Sequence, residues 1–147
     1  MHWIGAIGIT FLIGSAFIAG RIPNDATKTS KERLAFRQWI MHYHESVGLL
    51  MLAAMVPRVA FRLVTKLPRA LPEPQWQVIA SNVSHTLLYG VLIFMPVSGF
   101  AFGYLSGWGV PFFAWNVPGA SKEASQSAFN KKWEKFFYEN HHRVGYW

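Results

Sequence analysis

A chain of 147 residues that is 52% hydrophobic and 16% aromatic, with only 14% charged side chains, is too apolar and too rich in tryptophan for an ordinary water-soluble domain, so a membrane protein is the expected class. The net charge of +7 sits in clusters between apolar stretches rather than in a tract beside exposed aromatics, which argues against nucleic acid as a partner. The absence of cysteine excludes disulfides, thiolate-bound zinc and iron–sulfur clusters, and it leaves histidine as the main candidate metal ligand.

In chain order, "WIGAIGITFLIGSAFIAG" over residues 3–20 carries no charge, and about 18 to 20 such residues cross a bilayer core at about 1.5 Å per residue. A first membrane helix is therefore expected over about 2–20. It has neither a basic leader nor a small-residue cleavage site, so a mature segment is expected rather than a signal peptide. Residues 21–37, "RIPNDATKTSKERLAFR", read as a solvent loop. A second helix is expected over about 39–64, basic in its last turns, followed by a proline-rich extended connector over 66–76.

A third helix is expected over about 78–104, kinked at Pro96. Gly99, Gly103 and Gly107 recur at every fourth residue, a spacing that admits a neighbouring helix or a flat ligand. "SGWGVPFFAWNVPGA" reads as a loop. In 121–137, Phe129, Trp133, Phe136 and Phe137 fall at helical spacing opposite Lys131, Lys132 and Lys135, which suits a helix lying in the headgroup region. "HHRVGYW" opens a fourth helix over 138–147 that is only begun, and both ends of the chain read as trimmed. Trp39, Trp76, Trp108 and Trp115 stand near helix ends, as interfacial anchors do. The expected fold is thus one all-α membrane domain over 1–147, a four-helix transmembrane bundle with an interfacial amphipathic helix before its fourth member. The loops carry comparable numbers of basic residues, so no sidedness is assigned.

Alternate helices run in opposite directions, so the histidines fall into two layers. His2 and His85 lie toward one face, side A; His44, His141 and His142 lie toward the other, side B. Ionisable groups at membrane depth are costly and face the bundle interior, where they bind something. Two neutral imidazoles on facing helices can clamp the iron of a b-type haem, and His44 with His141 is the best such pair. Gly48, one turn after His44, leaves space for a porphyrin edge. Arg58, 14 residues beyond His44 and so about 21 Å along the axis, stands with Arg62 at side A. There the two hold propionates or a quinone headgroup, or simply mark the membrane boundary. His44 is open to the plainer reading of an interfacial histidine satisfied by water. His42 faces elsewhere and reads as an ordinary interfacial residue.

These residues resemble the bacterial-type cytochrome b561 family, four-helix membrane proteins that carry b haem and exchange electrons with quinones. His2-Trp3 is similar to that family's first-helix ligand motif. "HESVGLLMLAAMVPRVAFRL" is similar to its second-helix pattern of His, Gly and two arginines. "HTLLYGVLIFMPVSG" supplies His85, Tyr89, Pro96 and Gly99 of its third helix, and "PFFAWNVP" resembles the aromatic loop that follows. The resemblance covers nearly the whole chain. It implies one axial pair of His44 with a histidine early in helix four, His141 or His142, with His141 favoured by its spacing to Gly145. It implies a second pair of His2 with a histidine deeper in helix four, beyond Trp147. His85 is the substitute ligand should helix four end here; the resemblance otherwise gives it a hydrogen-bonding role.

Two b haems, or one if helix four ends at Trp147, with iron as the metal and quinone as a further ligand, are the implied cofactors. The implied partners are the lipid bilayer, quinone and other membrane redox proteins or a larger complex. The setting is an energy-transducing membrane: bacterial cytoplasmic, mitochondrial inner or plastid. The expected function is transmembrane electron transfer, with quinone oxidoreductase activity left open. Its rivals are a haem-poor structural subunit of a respiratory or photosynthetic complex, and a chlorophyll-binding protein using single histidines.

Overall fold

The computed structural model describes residues 2–65 and 74–146, and within these the side chains of His2 and Leu63 lie outside the description. The proline-rich connector falls outside it over residues 66–73. Helix α1, His2–Gly20, is apolar on every side, as a helix surrounded by lipid is. It stops where the chain first meets charge, and the Arg21 guanidinium lies 3.3 Å over the Phe17 ring centre. In the following loop Asp25 accepts from the Thr27 amide and hydroxyl at 2.9 and 2.7 Å. These bonds hold its carboxyl below the usual range.

Helix α2, Lys31–Val64, begins two turns before the expected start at residue 39. The reason is local: Ser30 accepts from the Arg33 amide at 3.4 Å and Glu32 sits in the first turn, so the helix is capped and charge-matched in water before it enters the apolar region. Its 34 residues extend about 51 Å against a hydrocarbon core of about 30 Å, so it projects beyond the bilayer. Pro57 lies inside it and leaves the Ala53 carbonyl without its helical donor. Helix α3, Gln75–Leu105, starts at Pro74 and contains Pro96.

The glycine-rich segment expected to be a loop folds into an antiparallel hairpin, β1 (Val110–Phe112) and β2 (Trp115–Val117), paired Val110 to Val117 and Phe112 to Trp115. Gly107 and Gly109 turn into it at φ +79° and +80°, a region that glycine enters without strain. A short helix α4, Lys122–Gln126, capped by Ser121, leads to α5, Ala128–Tyr146. The amphipathic segment from Ala128 and the stretch expected to open a fourth membrane helix are thus one continuous helix, with no break at residue 137.

Three helical segments are long and apolar enough to cross a membrane: Trp3–Gly20, Lys31–Arg62 and Gln75–Leu105. Helix α5 packs mainly against α3, α1 against α2, α2 against α3, and the hairpin lies on α2. The outward faces expose Ile4, Ile7, Ile13, Phe17, Phe61, Ile79 and Leu87, an apolar area far larger than water tolerates. The molecule is an integral membrane helical bundle.

Candidate functional site

Near the side-B end of the bundle, each helix contributes one polar group to the interior. From α2, the His44 Nδ1 lies 2.9 Å from the Ser15 Oγ of α1. From α5, the His141 Nδ1 lies 2.9 Å from the Ser98 Oγ of α3. Both serines are buried, 5% and 0% exposed. Each hydroxyl also reaches a carbonyl three residues back, Ser15 to Leu12 and Ser98 to Met95, both at 3.0 Å. A carbonyl only accepts, so the single hydroxyl hydrogen goes there and the imidazole N–H donates to the hydroxyl oxygen. Both rings are thereby set as the Nδ1–H tautomer, which leaves each Nε2 with its lone pair.

The two ring centres stand 6.4 Å apart with planes at 85°. A metal–imidazole bond is about 2 Å, and a ring nitrogen lies about 1 Å from its ring centre, so two imidazoles on opposite sides of one metal have centres about 6 Å apart. The pair has that spacing. Among the described residues no three His, Cys, Asp or Glu side chains converge on a common point, and a metal held by this pair alone would need further donors of its own, as a porphyrin's four nitrogens supply. Gly99 makes room: a methyl group there would lie 3.1 Å from His141 Cε1. These residues fit a haem.

The other expected residues lie around this pair or well away from it. His142 is exposed, donates from Nδ1 to the Tyr138 carbonyl at 2.9 Å and lies tilted with its ring centre 4.1 Å from that of Tyr138, whereas His141 is the residue that faces His44. A methyl group at Gly48 would find Leu12 Cδ2 at 4.0 Å, an ordinary contact with α1. His85 is exposed, and its Nδ1 donates to the Ser81 carbonyl at 2.8 Å. It precedes Ser98 by 13 residues, about 20 Å along α3. Arg58 is half-buried, and its Nη1 lies 3.9 Å from where a methyl group at Gly5 would stand, so it reaches α1 one turn beyond His2; Arg62 is exposed. The His2 side chain is outside the described residues.

Four polar residues were not anticipated from sequence. Ser15 and Ser98 were signalled only by being hydroxyls inside apolar helices. Ser46 is 0% exposed and binds the hairpin tip, accepting from the Phe113 amide at 2.9 Å, while His42 Nε2 donates to the Phe113 carbonyl at 2.9 Å. Arg37 has a buried Nε without a hydrogen-bond partner.

A membrane helical bundle presenting two facing imidazoles, each anchored through its outer ring nitrogen, has the architecture of a b-type cytochrome. A profile of the prokaryotic cytochrome b561 family matches residues 1–147, and the chain belongs to that family, whose membership implies a b-type haem. It is similar to a probable superoxide oxidase CybB of Yersinia pestis, 23% identical over 73% of this chain and 56% of that protein. It is also similar to cytochrome b561 homolog 2 of Escherichia coli K12, 30% identical over 58% of this chain and 46% of that protein. Cytochrome b561 homolog 1 of the same organism is 25% identical over 80% of this chain and 62% of that protein. The matched regions thus span only about half to three-fifths of these relatives' lengths. No solved structure is a significant match.

Proposed function

We propose that the chain holds a b-type haem between His44 and His141 and carries single electrons within a bacterial cytoplasmic membrane. The observation that supports this most is the imidazole pair itself: two rings 6.4 Å apart, each with its Nδ1 hydrogen-bonded to a buried serine. His44 and His141 would hold the iron through Nε2. Gly99 lets the His141 ring lie close against α3, and the apolar walls of α1, α2 and α3 exclude water, which keeps the dielectric low. When bound, the haem iron supplies the one-electron couple. Arg37, seven residues before His44 and so nearly on the same helical face, offers its unpartnered guanidinium nitrogen to a propionate.

A second site at side A would use His2, with Arg58 reaching across to α1 to hold anionic groups of a cofactor or a quinone headgroup. Quinone, or a partner redox protein, is the electron acceptor or donor in this reading. The test is a dithionite-reduced minus oxidised spectrum of the purified protein, with extracted haem counted per chain, for the parent and for His44→Ala and His141→Ala. A b-type spectrum in the parent, lost from the His44–His141 site in both variants, is expected. A parent with no haem would make this a structural subunit instead.

A further inference from the structure

Two buried hydroxyls in apolar helices need a reason. A serine in a membrane helix ordinarily satisfies itself by bonding back to its own helix, and Ser15 and Ser98 both do so. That bond exhausts the hydroxyl hydrogen but leaves the oxygen's lone pairs. In both cases a lone pair receives the Nδ1 proton of a histidine on a different helix, at the same 2.9 Å. The arrangement occurs twice, once from α1 to α2 and once from α3 to α5, and the two histidines so held are the two that face each other.

We propose that Ser15 and Ser98 are positioning residues that set the tautomer of His44 and His141 and thereby lower the reduction potential of the haem between them. The inference rests on the haem assignment above. A hydroxyl already donating to a carbonyl is a better acceptor, because the hydrogen bonds polarise one another. Each ring proton is therefore drawn toward a serine oxygen, electron density moves to Nε2, and the ligand becomes more basic. A more basic ligand stabilises ferric over ferrous iron. The iron feels this from both sides, and no proton leaves either ring in the one-electron change.

The experiment is a redox titration of the haem-loaded protein, followed by absorbance, for the parent, Ser15→Ala, Ser98→Ala, the double variant and the hydroxyl-retaining Ser15→Thr and Ser98→Thr. Only the part of a hydrogen bond that differs between the ferric and ferrous states moves the potential, so its whole net strength sets an upper limit of about tenfold toward ferrous at fixed potential for each alanine variant. At 59 mV per tenfold for one electron, that is an upward move of up to about 60 mV. The double variant should add the two shifts, and the threonine variants should return toward the parent. Alanine variants that keep their haem and the parental potential would overturn the inference while leaving the haem assignment intact, as would threonine variants shifted as far as alanine. A parent that binds no haem overturns both. Should Ser98→Ala fail to accumulate, Ser15→Ala and Ser15→Thr carry the test by themselves.

Discussion

At the scale of single residues, the site depends on what Gly99 lacks. A side chain there would press on the His141 ring at 3.1 Å, closer than carbon atoms normally approach, and the ring, bonded to Ser98, would have to give by a few tenths of an ångström. Gly99→Ala is expected to lower the haem retained after purification several-fold, measured as the haem-to-protein ratio. Gly48→Ala, whose nearest neighbour would be Leu12 at an ordinary 4.0 Å, should retain the parental ratio. His44 and His141 were readable in the sequence because an imidazole inside an apolar run is conspicuous. The serines were not, since a hydroxyl bonded to its own helix and one that also receives a histidine proton have the same sequence signature. Gly99 was noticed for its four-residue spacing, yet its role depends on an α5 side chain that spacing alone cannot place.

Among the elements, the hairpin is the one held at greatest local cost. Phe113 adopts φ +52°, where a side chain costs about 1–2 kcal/mol, and it is gripped on both sides of its peptide by α2. Ser46 gives its hydrogen to the His42 carbonyl at 2.8 Å and accepts the Phe113 amide, while the His42 ring binds the Phe113 carbonyl. Ser46→Ala takes its partner from the part-buried Phe113 amide, at a cost of about 1 kcal/mol. The expected result is faster proteolytic cleavage within 110–117, with α2 and α3 still resistant. Strands of three residues leave almost no alternation to detect, so the segment read as a loop. The early start of α2 was hidden for a different reason: its first two turns are polar, and hydropathy sees only the part of a helix that enters lipid. The unbroken α5 likewise combines an amphipathic half with the stretch expected to enter the membrane, and the two differ in pattern but share one backbone.

For the whole molecule, the interior has little apolar filling of its own. Among the described residues the buried side chains are Ala19, Ile40, Met55 and Val110 with three serines, Ser15, Ser46 and Ser98. In the function proposed above, a bound haem would supply part of that filling. Protein made in haem-starved cells is therefore expected to melt at lower temperature than haem-loaded protein, since a ligand at about a hundred times its dissociation constant adds about 2.7 kcal/mol. Thermal unfolding in detergent, with and without haem, measures this. The bundle was legible at this scale because apolar length alone dictates a membrane helix. The 85° angle between the two imidazole planes has a consequence of another kind. Were a haem iron held between rings at that angle, each ring's π orbital would overlap a different one of two iron d orbitals, neither would be raised above the other, and the unpaired electron of the ferric state would keep much of its orbital motion. The frozen protein should then give a strongly anisotropic low-spin paramagnetic signal with one very large g value, and a variant that turns either ring toward the other should split the orbitals and pull that value down.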